Sequence, residues 1–269
     1  MCPEYERHER EIHLDLSMFE MVPGTETPSG PGEYPRIDHS RAVKKYHRPA
    51  AGNEQPFPED VRPTEILRKT MDYLCNEILD MSEASLADIH KFVRDRTRSI
   101  RQDFTLQNLR NPICVEIHEE IARFHIFSGH RLCEEDPAVF DAFQNTEQLR
   151  KVLQSLQEFY DDSYKHGHSY PNEAEFRCYY ILTHLPDTDI YRKSLTFKLE
   201  IFQSDEVQFA LKCCSAFRER NYFRFFRLLE NATYLEACLL HSHFNMVRNS
   251  ALLVMNKVRI PLLPGLHAY

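Results

Sequence analysis

Fourteen histidines and eight cysteines are the residues of this 269-residue chain whose chemistry would be easiest to recognise, as metal ligands, proton carriers or nucleophiles. Their spacing argues for none of these. Among the nearest histidine pairs are His125 with His130, His166 with His168, and His241 with His243. The last pair, at i and i+2 of an expected helix, would turn its rings about 200° apart, so they cannot converge on one ion. Glu119 and Glu120 follow His118, but no H-E-x-x-H motif is present. Cys2, Cys75, Cys114, Cys133, Cys178 and Cys238 are dispersed, Cys213 and Cys214 are adjacent, and no C-x-x-C occurs. That is the pattern of thiols packed in helices in a reducing compartment. The seven glycines form neither a G-x-G-x-x-G nor a Walker loop, and there is no G-x-S-x-G elbow. The expectation is a non-enzymatic protein with no catalytic residue, cofactor or metal site.

The arginines carry more geometry. Lys91, Arg94, Arg96, Arg98, Arg101 and Arg110 cluster around KFVRDRTRSIRQDF. At helical spacing Arg94, Arg98 and Arg101 share a face beside Val93, Ile100 and Phe104, where guanidinium groups could contact successive phosphates or an acidic protein. Lys91, Arg94, Arg98, Arg101 and Arg110 are therefore a candidate surface for nucleic acid or an acidic partner, diluted by Asp95 and Asp103. Arg218, Arg220, Arg224 and Arg227 alternate with Phe and Tyr in FRERNYFRFFRLL and form a weaker candidate, a basic rim around aromatics expected to face mostly inward. A formal charge of −8 and a pI near 6 confine any nucleic-acid role to such local patches.

The elements that would position these residues are helices. Residues 63–256 repeat apolar positions at 3.6-residue spacing: Leu67, Met71, Leu74, Ile78 and Met81; Ile89, Val93, Ile100 and Phe104; Ile113, Ile117, Ile121 and Phe124. Further stripes are Leu149, Val152, Leu156 and Phe159; Phe176, Tyr179 and Thr183; Val207, Leu211, Cys214 and Phe217; and Leu235, Leu239, Val247 and Val254. Pro63, Pro112 and Pro171 suit helix starts, Ser85/Asp88 and Thr233/Glu236 read as capping boxes, and Asn145 and Asn221 as further starts. About eight helices result, with Phe92, Phe104, Phe124 and Leu156 in the core. Residues 1–62 read as an extended arm with one short helix at its start and Phe19, Tyr46 and Phe57 as anchors. Residues 257–269 read as an irregular tail punctuated by Pro261, Pro264 and Gly265. The fold class is all-α, an antiparallel helical-hairpin (TPR-like) solenoid, and the chain carries no secretory signal or membrane span.

Several blocks also resemble the Sac-three/GANP family: MCPEYERHERE at the start, FEMVPGT (Phe19–Thr25), AVKKYHRPAAG (Ala42–Gly52), VRPTEILRKTMDYL (Val61–Leu74), FVRDRTRSIRQDFTLQ (Phe92–Gln107), ARFHIFSGHRLCEE (Ala122–Glu135), and NYFRFFRLL with YLEACLL (Asn221–Leu240). They run in family order over almost the whole chain. The resemblance implies a helical-repeat body that leads into a winged-helix, PCI-like end. The last residues, MNKVRIPLLPGLHAY, stop short of a complete winged helix. It further implies a nuclear scaffold of a TREX-two-like mRNA-export complex at the nuclear pore, whose partners are a PCI-domain protein and a small acidic subunit, with auxiliary contact to RNA. The alternative the family offers is a centrosome- or spindle-associated interaction protein that binds no nucleic acid.

Overall fold

A computed structural model describes residues 1–25, 34–48, 57–165 and 167–259. Most of the Pro23–Pro35 break, the segment 49–56, His166 and the tail from 260 onward, with Pro261, Pro264 and Gly265, lie outside the described residues. Among the described residues there are twelve α-helices and no strand; one antiparallel bridge joins Met21 to Ile37. The all-helical class is borne out. The chain divides into two compact units, Met1–His118 and Glu119–Tyr269.

In the first unit, α1 (Glu4–Ile12) opens with Glu4 and Glu6 at its positive N-terminal end and closes with Arg10 in its last turn. α2 (Thr64–Tyr73) follows Pro63, whose extended backbone sets the helix start. Its stripe of Leu67, Met71, Leu74 and Ile78 is fully buried, and it continues through a π turn in which Leu79 N–H reaches Leu74 O at 3.1 Å. α3 (Leu86–Leu106) is capped by Ser85, whose Oγ accepts Asp88 N–H at 3.1 Å. Here the Asp88 carboxylate takes the Ser85 hydroxyl at 2.6 Å, so the box is only half formed. α3 buries Ile89, Phe92, Val93, Ile100 and Phe104. α4 (Pro112–Arg131) begins at its proline as expected, and the division between units falls within it.

Two of the three expected anchors hold the arm. Phe19 is buried with its ring 4.9 Å from that of Phe92, and Tyr46 lies under Arg98 at 3.9 Å. Phe57 is a correction: at 75% exposure it anchors nothing.

The second unit is arranged around α6 (Glu173–Thr183). α5 (Ala142–Lys165), α7 (Ile190–Ser194), α8 (Leu199–Phe202), α9 (Asp205–Arg218) and α11 (Tyr234–His241) all pack on it. Phe176, Cys178, Tyr179, Tyr180, Ile181 and Leu182 are all buried, and so are Glu173, Arg177 and Thr183, so this central helix is enclosed on its polar side as well as its apolar one. α10 (Tyr222–Leu229) packs on α9 and on α12 (Phe244–Arg259). The expected core residues Phe92, Phe104, Phe124 and Leu156 are all buried.

Three expectations need correction. Asn145 does not start α5: Asp141 accepts Gln144 N–H at 2.9 Å and caps it, while Asn145 sits buried within the helix and bonds His125. The stripe Leu235–Val254 is two helices rather than one, broken at Ser242–His243. α7 and α8, five and four residues long, are too short to show a period and raise the count.

Candidate interaction surfaces

α3 positions the first candidate set, and the arm decides what that set can reach. Arg96 is 3% exposed; its Nη2 donates to Glu20 Oε2 at 2.8 Å and its Nη1 to Asp95. Arg10 donates to both oxygens of the same Glu20 carboxylate, which also accepts Val43 N–H at 2.8 Å. Two turns of α3 further on, Asp103 is fully buried between Lys44 Nζ at 2.8 Å and Arg62 Nε at 2.6 Å, with Arg62 Nη2 bonding Ser99 Oγ at 2.9 Å. Asp95, too, accepts an arm amide, Tyr46 N–H at 3.2 Å. The acids that diluted the basic stretch in the sequence are the residues that tie the arm to α3.

Of the sequence candidates, Lys91 and Arg110 are exposed, whereas Arg94, Arg98 and Arg101 are half-buried. The Arg98 guanidinium is covered by the Tyr46 ring. Burial, and then the Arg98 charge, lower the Arg101 pKa to about 10, with Tyr46 opposing. On this face, access for a polyanion is limited by the arm.

The second set is placed differently. Asn221 caps α10 by accepting Arg224 N–H at 3.0 Å. Phe225 is buried, edge-on to Phe226 at 5.6 Å, and Phe226 packs edge-on to Phe244 at 5.3 Å. These contacts leave Phe223 outward at 68% exposure, with Arg218, Arg220, Arg224 and Arg227 all exposed. Arg224 lies 3.7 Å from Glu219, and Arg218 donates to Thr188 O. An exposed aromatic amid arginines is the arrangement that can stack a base and neutralise phosphates. The outward Phe223 corrects the expectation of inward aromatics only at this one ring; Tyr222 and Phe226 are half-buried.

Among the described residues, His125, His130, His241 and His243 find partners other than their sequence neighbours; the His166/His168 pair involves His166, which lies outside the described residues. His130 Nδ1 lies 3.3 Å from His241 Nδ1, His125 Nδ1 lies 2.8 Å from Asn145 Oδ1, and His243 Nε2 lies 2.9 Å from Leu182 O. Burial, and then the His241 charge, lower the His130 pKa; burial lowers that of His243. Buried carboxylates are likewise engaged. Glu119 accepts Tyr160 OH at 2.8 Å and Asn172 Nδ2 at 2.7 Å, and Arg177 joins Gln157, Asp161 and Glu173. Six cysteines are buried; Cys75 is half-buried and Cys133 exposed. The network of Arg10, Glu20, Lys44 and Arg62 escaped the sequence reading because ion pairs between distant segments leave no periodic signal.

Such a protein is an all-helical one whose exposed chemistry is ionic and aromatic, with its buried charges engaged in holding segments together. No helix among the described residues is long and apolar enough to cross a membrane. The chain matches the SAC3/GANP family over residues 1–260 and belongs to that family. It is 47% identical to SAC3 family protein 1 of Schizosaccharomyces pombe, over 96% of this chain and 26% of that protein. It is 38% identical to Protein xmas of Drosophila melanogaster, over 92% of this chain and 12% of that protein. SAC3 family protein B of Arabidopsis thaliana is 37% identical, over 94% of this chain and 15% of that protein. The chain thus spans about a quarter or less of the length of these relatives.

Proposed function

We propose that this chain is the helical scaffold region of a nuclear mRNA-export assembly of the TREX-two type, acting at the nuclear pore without catalysis. The observation that carries this reading is the family match over residues 1–260, at 47% identity to a SAC3 family protein. Its partners are a PCI-domain protein and a small acidic subunit. RNA contact is auxiliary and falls to the outward rim of Arg220, Phe223, Arg224 and Arg227 ahead of Arg94, Arg98 and Arg101, which are half-buried and of which Arg98 is covered by the arm's Tyr46.

Depleting the protein in its own cells and probing polyadenylated RNA in situ tests this function. Nuclear retention of that RNA, relieved on re-expression, is the expected result. An unchanged RNA distribution with failed spindle assembly would overturn it.

A further inference from the structure

We propose that His8, Glu11 and His39 form a site for a d-block divalent cation of the Zn²⁺ class. His8 and Glu11 stand one turn apart on α1, and His39 comes from the turn after Ile37. One ligand atom from each lies within 4.8 Å of the others.

The chemistry of the set points to the ion. Two imidazoles and one carboxylate suit a borderline cation such as Zn²⁺ and leave a fourth position for water or an incoming ligand, whereas Ca²⁺ and Mg²⁺ favour all-oxygen shells. Tetrahedral Zn²⁺ with bonds of about 2.0–2.1 Å brings its donors to about 3.4 Å from one another, so side-chain rotations of about 1.5 Å would close the set. The two rings are exposed and free to make that move; their centroids are already 5.3 Å apart.

The supporting groups hold both segments in place. Glu11 Oε1 accepts Ile37 N–H at 3.2 Å, which orients the carboxylate and leaves its second oxygen for the ion. Asp38 Oδ1 accepts Ser40 N–H at 2.9 Å and Ser40 Oγ–H at 2.6 Å, fixing the turn that carries His39. Two neighbouring charges act in opposite senses: Glu4 lies 4.0 Å from His8 Nε2 and favours a cation, while Arg7 donates to His39 O at 3.3 Å and disfavours one. Bound metal would staple α1 to the 38–41 turn. At a free concentration ~100-fold above the dissociation constant, it would shift the folding equilibrium of this segment ~100-fold.

Calorimetric titration of the full chain with ZnCl₂ in chelator-free buffer near neutral pH tests the site, with CaCl₂ and MgCl₂ as competitors. The expected result is a Zn²⁺ site that His8→Ala and His39→Ala each abolish or weaken at least ~10-fold, that Glu11→Gln also weakens, and that the hard cations do not occupy. Glu11→Gln keeps the acceptor for Ile37 N–H, and metal-free urea midpoints of all three variants should equal the wild-type value, which separates lost ligation from lost folding. Zn²⁺ stoichiometry and affinity unchanged in the His8→Ala/His39→Ala double variant would overturn the assignment, by placing the metal elsewhere, such as at His130 and His241. Equal competition by Ca²⁺ would overturn it as well.

Discussion

Arg96 Nη2 lies 2.8 Å from Oε2 of Glu20, a carboxylate with no exposed surface that stands 76 residues earlier in the chain. The same carboxylate holds Arg10, which is 4% exposed, so one anion serves two buried cations and joins α1, the arm and α3. Removing it would leave Arg96 with the Asp95 carboxylate alone and Arg10 with Glu6 at 3.9 Å and two backbone carbonyls. Glu20→Ala should cost about 3–5 kcal/mol, read as a lowered urea midpoint. A loss under about 1 kcal/mol would mean that the arm is held by Phe19 and its apolar neighbours alone.

His118 should impose an acid-side slope on stability. It is buried, with Nδ1 2.7 Å from Cys114 O, and burial followed by the Arg101 charge lowers its pKa to about 3, against the raising effect of that carbonyl. Its unfolded value is about 6.5. Between these two values the unfolded chain binds the extra proton, so the contribution is complete above pH ~6.5 and falls by up to ~1.4 kcal/mol per pH unit as pH drops toward 3. His118→Gln, which keeps a donor for the Cys114 carbonyl, should flatten the pH dependence of the urea midpoint by about one proton between pH ~4 and ~6.5. An unchanged slope in the variant would show that His118 titrates normally in the folded chain.

RNA affinity, measured by fluorescence anisotropy against salt, should respond to the α9–α10 rim. Changing Arg220, Arg224 and Arg227 to Glu should lower the slope of log K against log salt by about 2, at ~0.7 per single-strand phosphate contact. Phe223→Ala should cost about 1–3 kcal/mol in binding if a base stacks there. Arg98→Ala should disturb the Tyr46 contact more than RNA affinity. A salt slope untouched by the rim variants but reduced by Arg94, Arg98 and Arg101 substitutions would return the RNA surface to α3.

Where the sequence was legible, a local signal was present. Thr233 and Glu236 form the expected capping box, Thr233 N–H reaching Glu236 Oε2 at 2.7 Å, and Asn221 caps α10. Four members of the stripe, Leu67, Met71, Leu74 and Ile78, are read correctly even across a π turn because they still face the core, whereas the fifth, Met81, falls past the last helical turn and is half-buried. Helix ends were harder. α1, α3 and α9 stop at Leu14, Asn108 and Arg220, each with φ between 50° and 55°. In each case the next residue's N–H reaches back to the third-last helical carbonyl, Asp15 to Arg10, Leu109 to Phe104 and Asn221 to Ala216. Glycine usually marks that stop; a leucine or an arginine there costs about 1–2 kcal/mol of backbone strain and gives no sequence cue. The candidate sites were legible as residue types but not as surfaces. Nothing in the spacing of Arg94, Arg98 and Arg101 says that Tyr46, some 50 residues earlier, covers Arg98, or that Phe223 is left outward while Phe225 takes the core position.

The most direct test of the scaffold reading is a quantitative pull-down from nuclear extract with the immobilised 269-residue chain. Retention of a PCI-domain protein together with a small acidic subunit, at near-equal stoichiometry and resistant to nuclease, is the expected result. Recovery of neither, with centrosomal or spindle proteins held in their place, would contradict it.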